Sequence, residues 1–222
     1  MVKTSVIITN YNYAKYLGRC IRSCVNQSMP SEDYEIVVVD DGSTDNSKQV
    51  IESFEDKIKP TFIKHSGVAY TSNVGVKKAS GMFVVRVDAD DYINQNMLLF
   101  MTEILVWNPD IGFVYCDHIL VDEKEQKIGR LRLNTIEMLY NHGAGIMFRK
   151  SNLEALGLYD TTLLNCEDYD LVARYLKNFD GYYLKLPLYR YFKHDHSLTS
   201  NNEVREKWRK KAVEKNRQRE SR

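Results

Sequence analysis

Through the first 90 positions, short blocks of consecutive β-branched residues alternate with stretches whose apolar positions recur every three or four residues. Ser5-Val6-Ile7-Ile8 and Ile36-Val37-Val38-Val39 are continuous apolar blocks of the kind buried on both faces of a parallel sheet. Between them, Tyr16, Leu17, Cys20, Ile21, Cys24 and Val25 mark one face of a helix over residues 13–27. Asp41-Gly42-Ser43-Thr44-Asp45 reads as a turn that ends in a helix cap, followed by a helix through Val50, Ile51 and Phe54. A third strand is predicted near Thr61-Phe62-Ile63, a helix over Ala69 to Ala79, and a fourth strand over Phe83 to Val87 after Gly81. Repeated strand, helix, strand order implies right-handed crossovers and an α/β fold with a doubly wound, mostly parallel sheet.

The second half is less regular. Asn96 to Trp107 reads as a helix stopped by Asn108-Pro109, and Ile111 to Cys116 as a strand. A polar stretch to about Asn141 reads as a small β-excursion. Gly143 to Phe148 and Tyr182 to Tyr191 are further strands, with a helix from Asp168 to Lys177 between them. Val204, Trp208 and Ala212 then recur every four residues in a basic C-terminal helix. The expected organisation is one domain over residues 1–202, with halves 1–91 and 92–202, and a basic helix over 203–222.

Composition narrows the class. Of 222 residues, 43% are apolar and 27% charged, which excludes both a disordered chain and a membrane-spanning one. Lys plus Arg total 31 against 30 for Asp plus Glu, so the surface as a whole is not built to hold nucleic acid. The balance hides an asymmetry: residues 203–222 carry nine basic and four acidic side chains, +5, leaving the body at −4 against the total of +1. Met1-Val2-Lys3 does not open a signal peptide, and Cys20, Cys24, Cys116 and Cys166 lack paired zinc-site spacing, so a reduced, cytoplasmic protein is expected.

Open α/β sheets bind ligands beyond the carboxyl ends of their strands. Thr9, Asn10 and Tyr11 follow the first strand, Asp40 and Asp41 the second, and Asp88, Asp90 and Asp91 the fourth. Three carboxylates within four residues, Asp88-Ala89-Asp90-Asp91, repel one another unless a cation or donor compensates. A divalent metal is the economical solution, and oxygen-rich sites select magnesium or manganese, held by one or two carboxylates together with phosphate and water. A solvated acidic turn with a helix-capping Asp is the bland alternative.

Four segments in order resemble glycosyltransferase family 2: Val6-Ile7-Ile8-Thr9-Asn10-Tyr11-Asn12, Val37-Val38-Val39-Asp40-Asp41-Gly42-Ser43-Thr44-Asp45, Asp88-Ala89-Asp90-Asp91 and Glu167-Asp168-Tyr169-Asp170-Leu171. The resemblance covers about residues 3–199. It implies a GT-A fold and an inverting transferase that takes a nucleotide-diphosphate sugar with Mn2+ or Mg2+. It further implies that Thr9 and Tyr11 contact the nucleobase, and that Asp40 and Asp41 hold base or ribose. By the same resemblance Asp88 lies near the nucleoside, Asp90 is the first choice of metal ligand with Asp91 second, and Asp168, next to Glu167, is the general base. Asp168 also has a plainer reading, as an N-terminal helix cap.

Gly67, Ala69, Asn73 and Gly75 resemble the small-residue segment that lets backbone approach the donor, with Ser72 standing where many relatives carry Arg. His194 with Ser197 and Thr199 resembles a His-x-x-Ser-x-Thr motif whose His reaches diphosphate or metal. His65, His118 and His142 fit no pattern and read as surface or core residues. The Gln-x-x-Arg-Trp motif of processive synthases is absent after Asp168, which favours single-sugar transfer, and the resemblance most often implies surface polysaccharide or lipopolysaccharide assembly. The acceptor is then a saccharide or lipid-linked saccharide, and the basic tail can rest on anionic lipid as a peripheral contact at the inner membrane face. Two rivals stay open: a nucleotidyltransferase, against which the glycine-free loop after the first strand counts, and a non-catalytic nucleotide-sugar-binding scaffold, against which the intact Asp90 and Asp168 count.

Overall fold

The computed structural model describes residues 2–194 and 202–220. Its first half alternates β1 (Thr4–Asn10), α1 (Ala14–Val25), β2 (Tyr34–Asp40), α2 (Ser47–Glu52), β3 (Lys59–Phe62), α3 (Val68–Lys78) and β4 (Phe83–Asp88). These four strands pair in parallel in the order β3-β2-β1-β4. The β-branched blocks sit where both faces are covered: β1 is buried along its whole length.

The second half adds β5 (Tyr92–Ile93), α4 (Met97–Trp107), β6 (Ile111–Val121), β7 (Lys127–Leu131), α5 (Ile136–Asn141), β8 (Met147–Arg149), α6 (Lys150–Ala155), α7 (Glu167–Leu176), β9 (Asp180–Phe192) and α8 (Asn202–Glu220). The sheet continues past β4 through β8, β6, β9 and β5, with β7 paired to β6. β8 runs antiparallel to its neighbours β4 and β6, while the long β6 and β9 pair in parallel. The result is the mixed, mainly parallel sheet of an α/β fold. Alternate residues of the central strands split the core in two: Val6, Ile8, Val38 and Val85 pack against α1 and α4, while Ile7, Val84 and Phe113 pack against α3 and α7.

Several element expectations change. β6 runs on to Val121, well past Cys116, because it gains β9 as a parallel neighbour along its length. The polar excursion resolves into strand β7 and the short helix α5. The strand expected over Gly143 to Phe148 shrinks to three residues, since Gly145 takes a positive φ of 71°. β5 and α6 carry no clear period and were not anticipated.

The basic helix α8 packs on α7 rather than standing off in solvent. Ala212 is fully buried, and the buried carboxylate of Asp170 accepts from Asn216 and Arg219. Asp160 takes Lys215 and Arg219. At its start, Arg205 donates to the Asn141 carbonyl, and its own carbonyl lies 3.5 Å from Cys166 Sγ. Among the described residues no helix is long and apolar enough to cross a membrane.

Candidate active site

The register of the parallel strands sets Asn10 beside Asp40 and Thr9 beside Asp88 at one sheet edge. Beyond that edge opens a cavity of about 430 Å³. Its three ends carry different chemistry.

At the first end, the side chain of Asp41 is buried and accepts from the backbone N–H of Ser66 at 2.7 Å and of Gly67 at 2.9 Å. His65 Nδ1 lies 2.9 Å from the same carboxylate, and the His65 ring stacks on Tyr11 with centroids 4.0 Å apart. Gly42 makes this possible. Its φ is +74°, and a Cβ there would stand 2.8 Å from the His65 backbone nitrogen. The corner is an aromatic wall beside a buried acceptor, suited to a flat heterocycle and a ribose.

Two expected contacts fall outside the cavity. Asp40 accepts from Asn10 Nδ2 at 2.7 Å and from the backbone and hydroxyl of Ser43, so it organises the loop behind the wall. Asn73 clamps the backbone of Tyr159, donating to its carbonyl and accepting from its N–H, each at 2.9 Å. Neither residue is among those that line the cavity, and both side chains are engaged by protein partners. Thr9, Tyr11, Asp41 and Gly67 do line the cavity.

At the second end lie Asp88, Asp90 and Asp91. Helix α1 supports this turn: Arg19 Nη2 donates to the Asp90 carbonyl at 2.7 Å, while Arg19 is itself paired with Glu125. Asp91 is turned inward, accepting from Tyr189 Oη at 2.7 Å and from the Phe192 N–H at 2.8 Å. Each of its oxygens already accepts from a protein donor, which makes Asp90 the better placed of the two candidate metal ligands. Burial and the neighbouring carboxylates push the acids of Asp91 and Asp88 upward, with Arg86 pulling Asp88 back. Asp90 Oδ2 instead meets His194 Nε2 at 2.9 Å, and the His194 ring is held among Tyr13, Tyr16 and Phe192. Ser197 and Thr199 lie outside the described residues.

Among the described residues no group of three or more His, Cys, Asp or Glu side chains is gathered to hold a metal unaided. The donor set nonetheless fits magnesium or manganese of the kind that keeps one or two protein ligands and completes its shell with diphosphate and water. Asp90 lines the cavity and is so placed, with the fully buried His194 side chain as its partner.

At the third end, Glu167 and Asp168 open helix α7, with Cys166 before them in left-handed geometry at φ 60°. Asp168 is a first-turn residue and not the cap. Its Oδ2 faces the Gly143 N–H at 3.3 Å, and a Cβ on Gly143 would stand 2.5 Å from that of Asp168. Glu167 is buried. Desolvation and Asp168 push its acid up to about 7, against the pull of Arg86, whose Nη1 lies 2.9 Å away.

The three histidines without a sequence pattern all line the cavity. Burial, together with the neighbouring His142, pushes His118 down to about 3, and burial with Arg205 pushes His142 down to about 4, so both rings are neutral at pH 7. The strand-end rule could have found His65, three residues past β3. His118 was hidden because β6 runs further than its apolar block. Arg86 was hidden inside an otherwise apolar strand. The departure at Ser72 has a counterpart here: Arg86 Nη1 lies 3.5 Å from the Ser72 hydroxyl.

A profile described as glycosyl transferase family 2 matches residues 5–157. The chain belongs to that family. An uncharacterized glycosyltransferase of Nostoc sp. is 43% identical over 51% of this chain and 36% of its own. The poly(ribitol-phosphate) β-N-acetylglucosaminyltransferase TarS of Staphylococcus aureus is 39% identical over 44% of this chain and 18% of its own. The chain thus spans well under two thirds of these curated relatives. The crystal structure of S. aureus TarS in complex with UDP-GlcNAc superimposes with TM-score 0.76 at 25% identity, covering 90% of this chain and 61% of that one. A mannosyltransferase of Pyrobaculum calidifontis, in complex with GDP-Man and Mn2+, shares the fold at TM-score 0.65 and 20% identity, covering 86% of this chain and 56% of that one. The GT-A expectation for this family 2 chain therefore holds.

Proposed function

We propose that this chain is an inverting glycosyltransferase that moves a single sugar from a nucleotide-diphosphate sugar to a hydroxyl of a cell-surface glycan or its lipid-linked precursor. The observation that carries the reading is that one cavity gathers three separate groups from distant parts of the chain: the Tyr11, His65 and Asp41 corner, Asp90 with the buried His194 as its partner, and Asp168 at the start of α7. Inverting transfer is a single in-line displacement at the anomeric carbon. It needs one carboxylate to take the acceptor proton on the face opposite the departing diphosphate.

In this reading Tyr11 stacks on the base and Asp41 receives the base or ribose, with Thr9, Gly67 and Asp88 lining the nucleoside side. Asp90, held in place by His194, would take Mn2+ or Mg2+, which would stabilise charge on the departing diphosphate. Asp168 takes the acceptor proton, and Glu167 fixes its helix end. The poly(ribitol-phosphate) transferases among the relatives support a surface-glycan acceptor, and the UDP-GlcNAc complex of TarS supports a uridine-linked donor. Lys207, Lys210, Lys211 and Arg217 stay exposed on α8 and suit a peripheral contact with anionic lipid at the cytoplasmic face. Co-sedimentation with phosphatidylglycerol vesicles but not phosphatidylcholine ones tests that contact, and equal recovery with both would refute it.

The function is tested by replacing Asp168 with Asn and following nucleoside diphosphate release from a panel of UDP-GlcNAc, UDP-glucose and GDP-mannose. Turnover is expected to fall by about 100-fold or more, within the range for loss of a positioned base, with nucleotide binding retained. Unchanged turnover in Asp168→Asn would remove Asp168 as base.

A further inference from the structure

Six carboxylates line the cavity, and among the described residues Arg86 is its one permanently charged cation. It is an unusual occupant for its strand. β4 is the centre of the sheet, and its neighbours Val84, Val85 and Val87 are buried among apolar side chains. An arginine held at 8% exposure there is stabilising only if its charge is matched and its donors are used. Its charge is matched on two sides. Nη1 donates to Glu167 Oε1 at 2.9 Å, and Nε lies 3.0 Å from Asp88 Oδ1 as an ion pair without hydrogen-bond geometry, while the guanidinium carbon sits 5.4 Å from the centre of the Tyr159 ring.

Asp88 ends β4 on the nucleoside side of the cavity, and Glu167 is the first residue of α7, directly before Asp168. One side chain therefore ties the two walls together. At the start of α7 Cys166 stands in left-handed geometry and makes no side-chain cap, so the Arg86 contact with Glu167 adds to the hold that Asp170 has on Asn216 and Arg219. The buried Ser72 hydroxyl lies 3.5 Å from Nη1 and completes the surroundings of the guanidinium.

We propose that Arg86 is the positioning residue of this site: its guanidinium clamps Asp88 to Glu167 and so fixes the first turn of α7, and with it the carboxylate of Asp168, against the donor. The clamp needs a planar fork. A lysine ammonium is a point charge that can meet one carboxylate well but spans two poorly. The inference rests on Asp168 as base, as proposed above.

The test compares wild type with Arg86→Met, Arg86→Lys and Asp168→Asn. It uses whichever of UDP-GlcNAc, UDP-glucose and GDP-mannose the wild type hydrolyses fastest, with nucleoside diphosphate affinity and melting temperature measured alongside. Arg86→Met is expected to lower kcat by about 100-fold, the scale on which a misplaced reacting group costs rate. The dissociation constant of the nucleoside diphosphate stays within about threefold, well under the tenfold that corresponds to 1.4 kcal/mol of binding. Arg86→Lys should fall between Met and wild type. Because Arg86 lines the cavity, guanidinium chloride at non-denaturing concentration should recover part of the kcat lost in Arg86→Met, whereas potassium chloride of equal ionic strength should not.

Three results would overturn the clamp. One is a wild-type kcat in Arg86→Met while Asp168→Asn is inactive, which spares the base but not the inference. Another is a large loss of nucleotide affinity with kcat intact, which makes Arg86 a donor ligand. The third is a loss of activity that follows melting temperature and that neither lysine nor guanidinium restores, which leaves only a structural ion pair. Wild-type turnover in Asp168→Asn is a different failure, that of the function on which the clamp rests.

Discussion

Asp90 and His194, 104 residues apart in sequence, meet at 2.9 Å between Oδ2 and Nε2. The contact closes β9 onto the turn after β4. Under the proposed function Asp90 would take the cation and the buried His194 would hold the Asp90 carboxylate in place. Replacing His194 with Gln is expected to weaken the manganese-dependent part of nucleotide binding by about 10-fold or more, the range found when a residue supporting a metal site is lost. Nucleotide binding in the absence of metal should be unchanged. Titration of Mn2+ into the variant with nucleotide present measures both, and an unaltered metal response would remove His194 from the site.

Gly143 and Asp168 leave no room between them. A methyl group at position 143 would stand 2.5 Å from the Asp168 Cβ and 2.9 Å from its Oδ2, closer than side chains pack. Gly143→Ala should therefore push Asp168 aside and lower kcat by about 100-fold, the cost of a misplacement of about 1 Å. Nucleotide affinity and overall stability should stay near wild type, because the displaced group lies on the cavity surface. Steady-state kinetics beside a denaturation curve separate these outcomes, and normal kcat would show that α7 yields without consequence.

Asp170 anchors helix α8. Its fully buried carboxylate carries Arg174, Asn216 and Arg219. Asp170→Ala should cost about 2 kcal/mol in urea unfolding, less than the roughly 3–5 kcal/mol of a wholly buried pair because Arg219 is 39% exposed. The freed helix, rich in Lys and Arg, should then be cut by trypsin well before the rest of the chain. Equal proteolysis of variant and wild type would show that the apolar seat of Ala212 suffices.

His118 and His142 set a pH dependence of stability. Burial holds both rings below the ordinary imidazole value, at about 3 and about 4. Between about pH 6.5 and those values the unfolded chain binds more protons than the native one, so stability falls as pH is lowered through that window. His118→Phe should lessen the loss of denaturation midpoint between pH 7.5 and pH 5. The same loss in variant and wild type would place the proton uptake elsewhere.

The parallel half of the fold was legible because its strands are buried on both faces, so that β-branched blocks and strand ends mark themselves. The same rule found Thr9, Tyr11, Asp41 and the acids after β4. It could not separate Asp40 from Asp41, since which of two adjacent carboxylates faces the cavity depends on the Asn10 and Ser43 partners behind the wall. Nor could it see that Asp91 turns toward Tyr189, a residue from β9. Arg86 and His118 escaped for a related reason. Their strands read as core, and only long-range pairing puts a polar group from the strand interior onto the cavity.

The most direct test of a metal-assisted nucleotide-sugar transferase is a thermal-shift panel of UDP, GDP and TDP with and without Mn2+, on wild type and Asp90→Asn. A ligand at 100 times its dissociation constant adds about 2.7 kcal/mol, which for a chain of this size raises the melting temperature by about 5 °C or more. The account predicts that one nucleotide gives such a rise with Mn2+, and that Asp90→Asn loses the manganese-dependent part while keeping the rest. No rise with any nucleotide, or a full manganese response in Asp90→Asn, would contradict it.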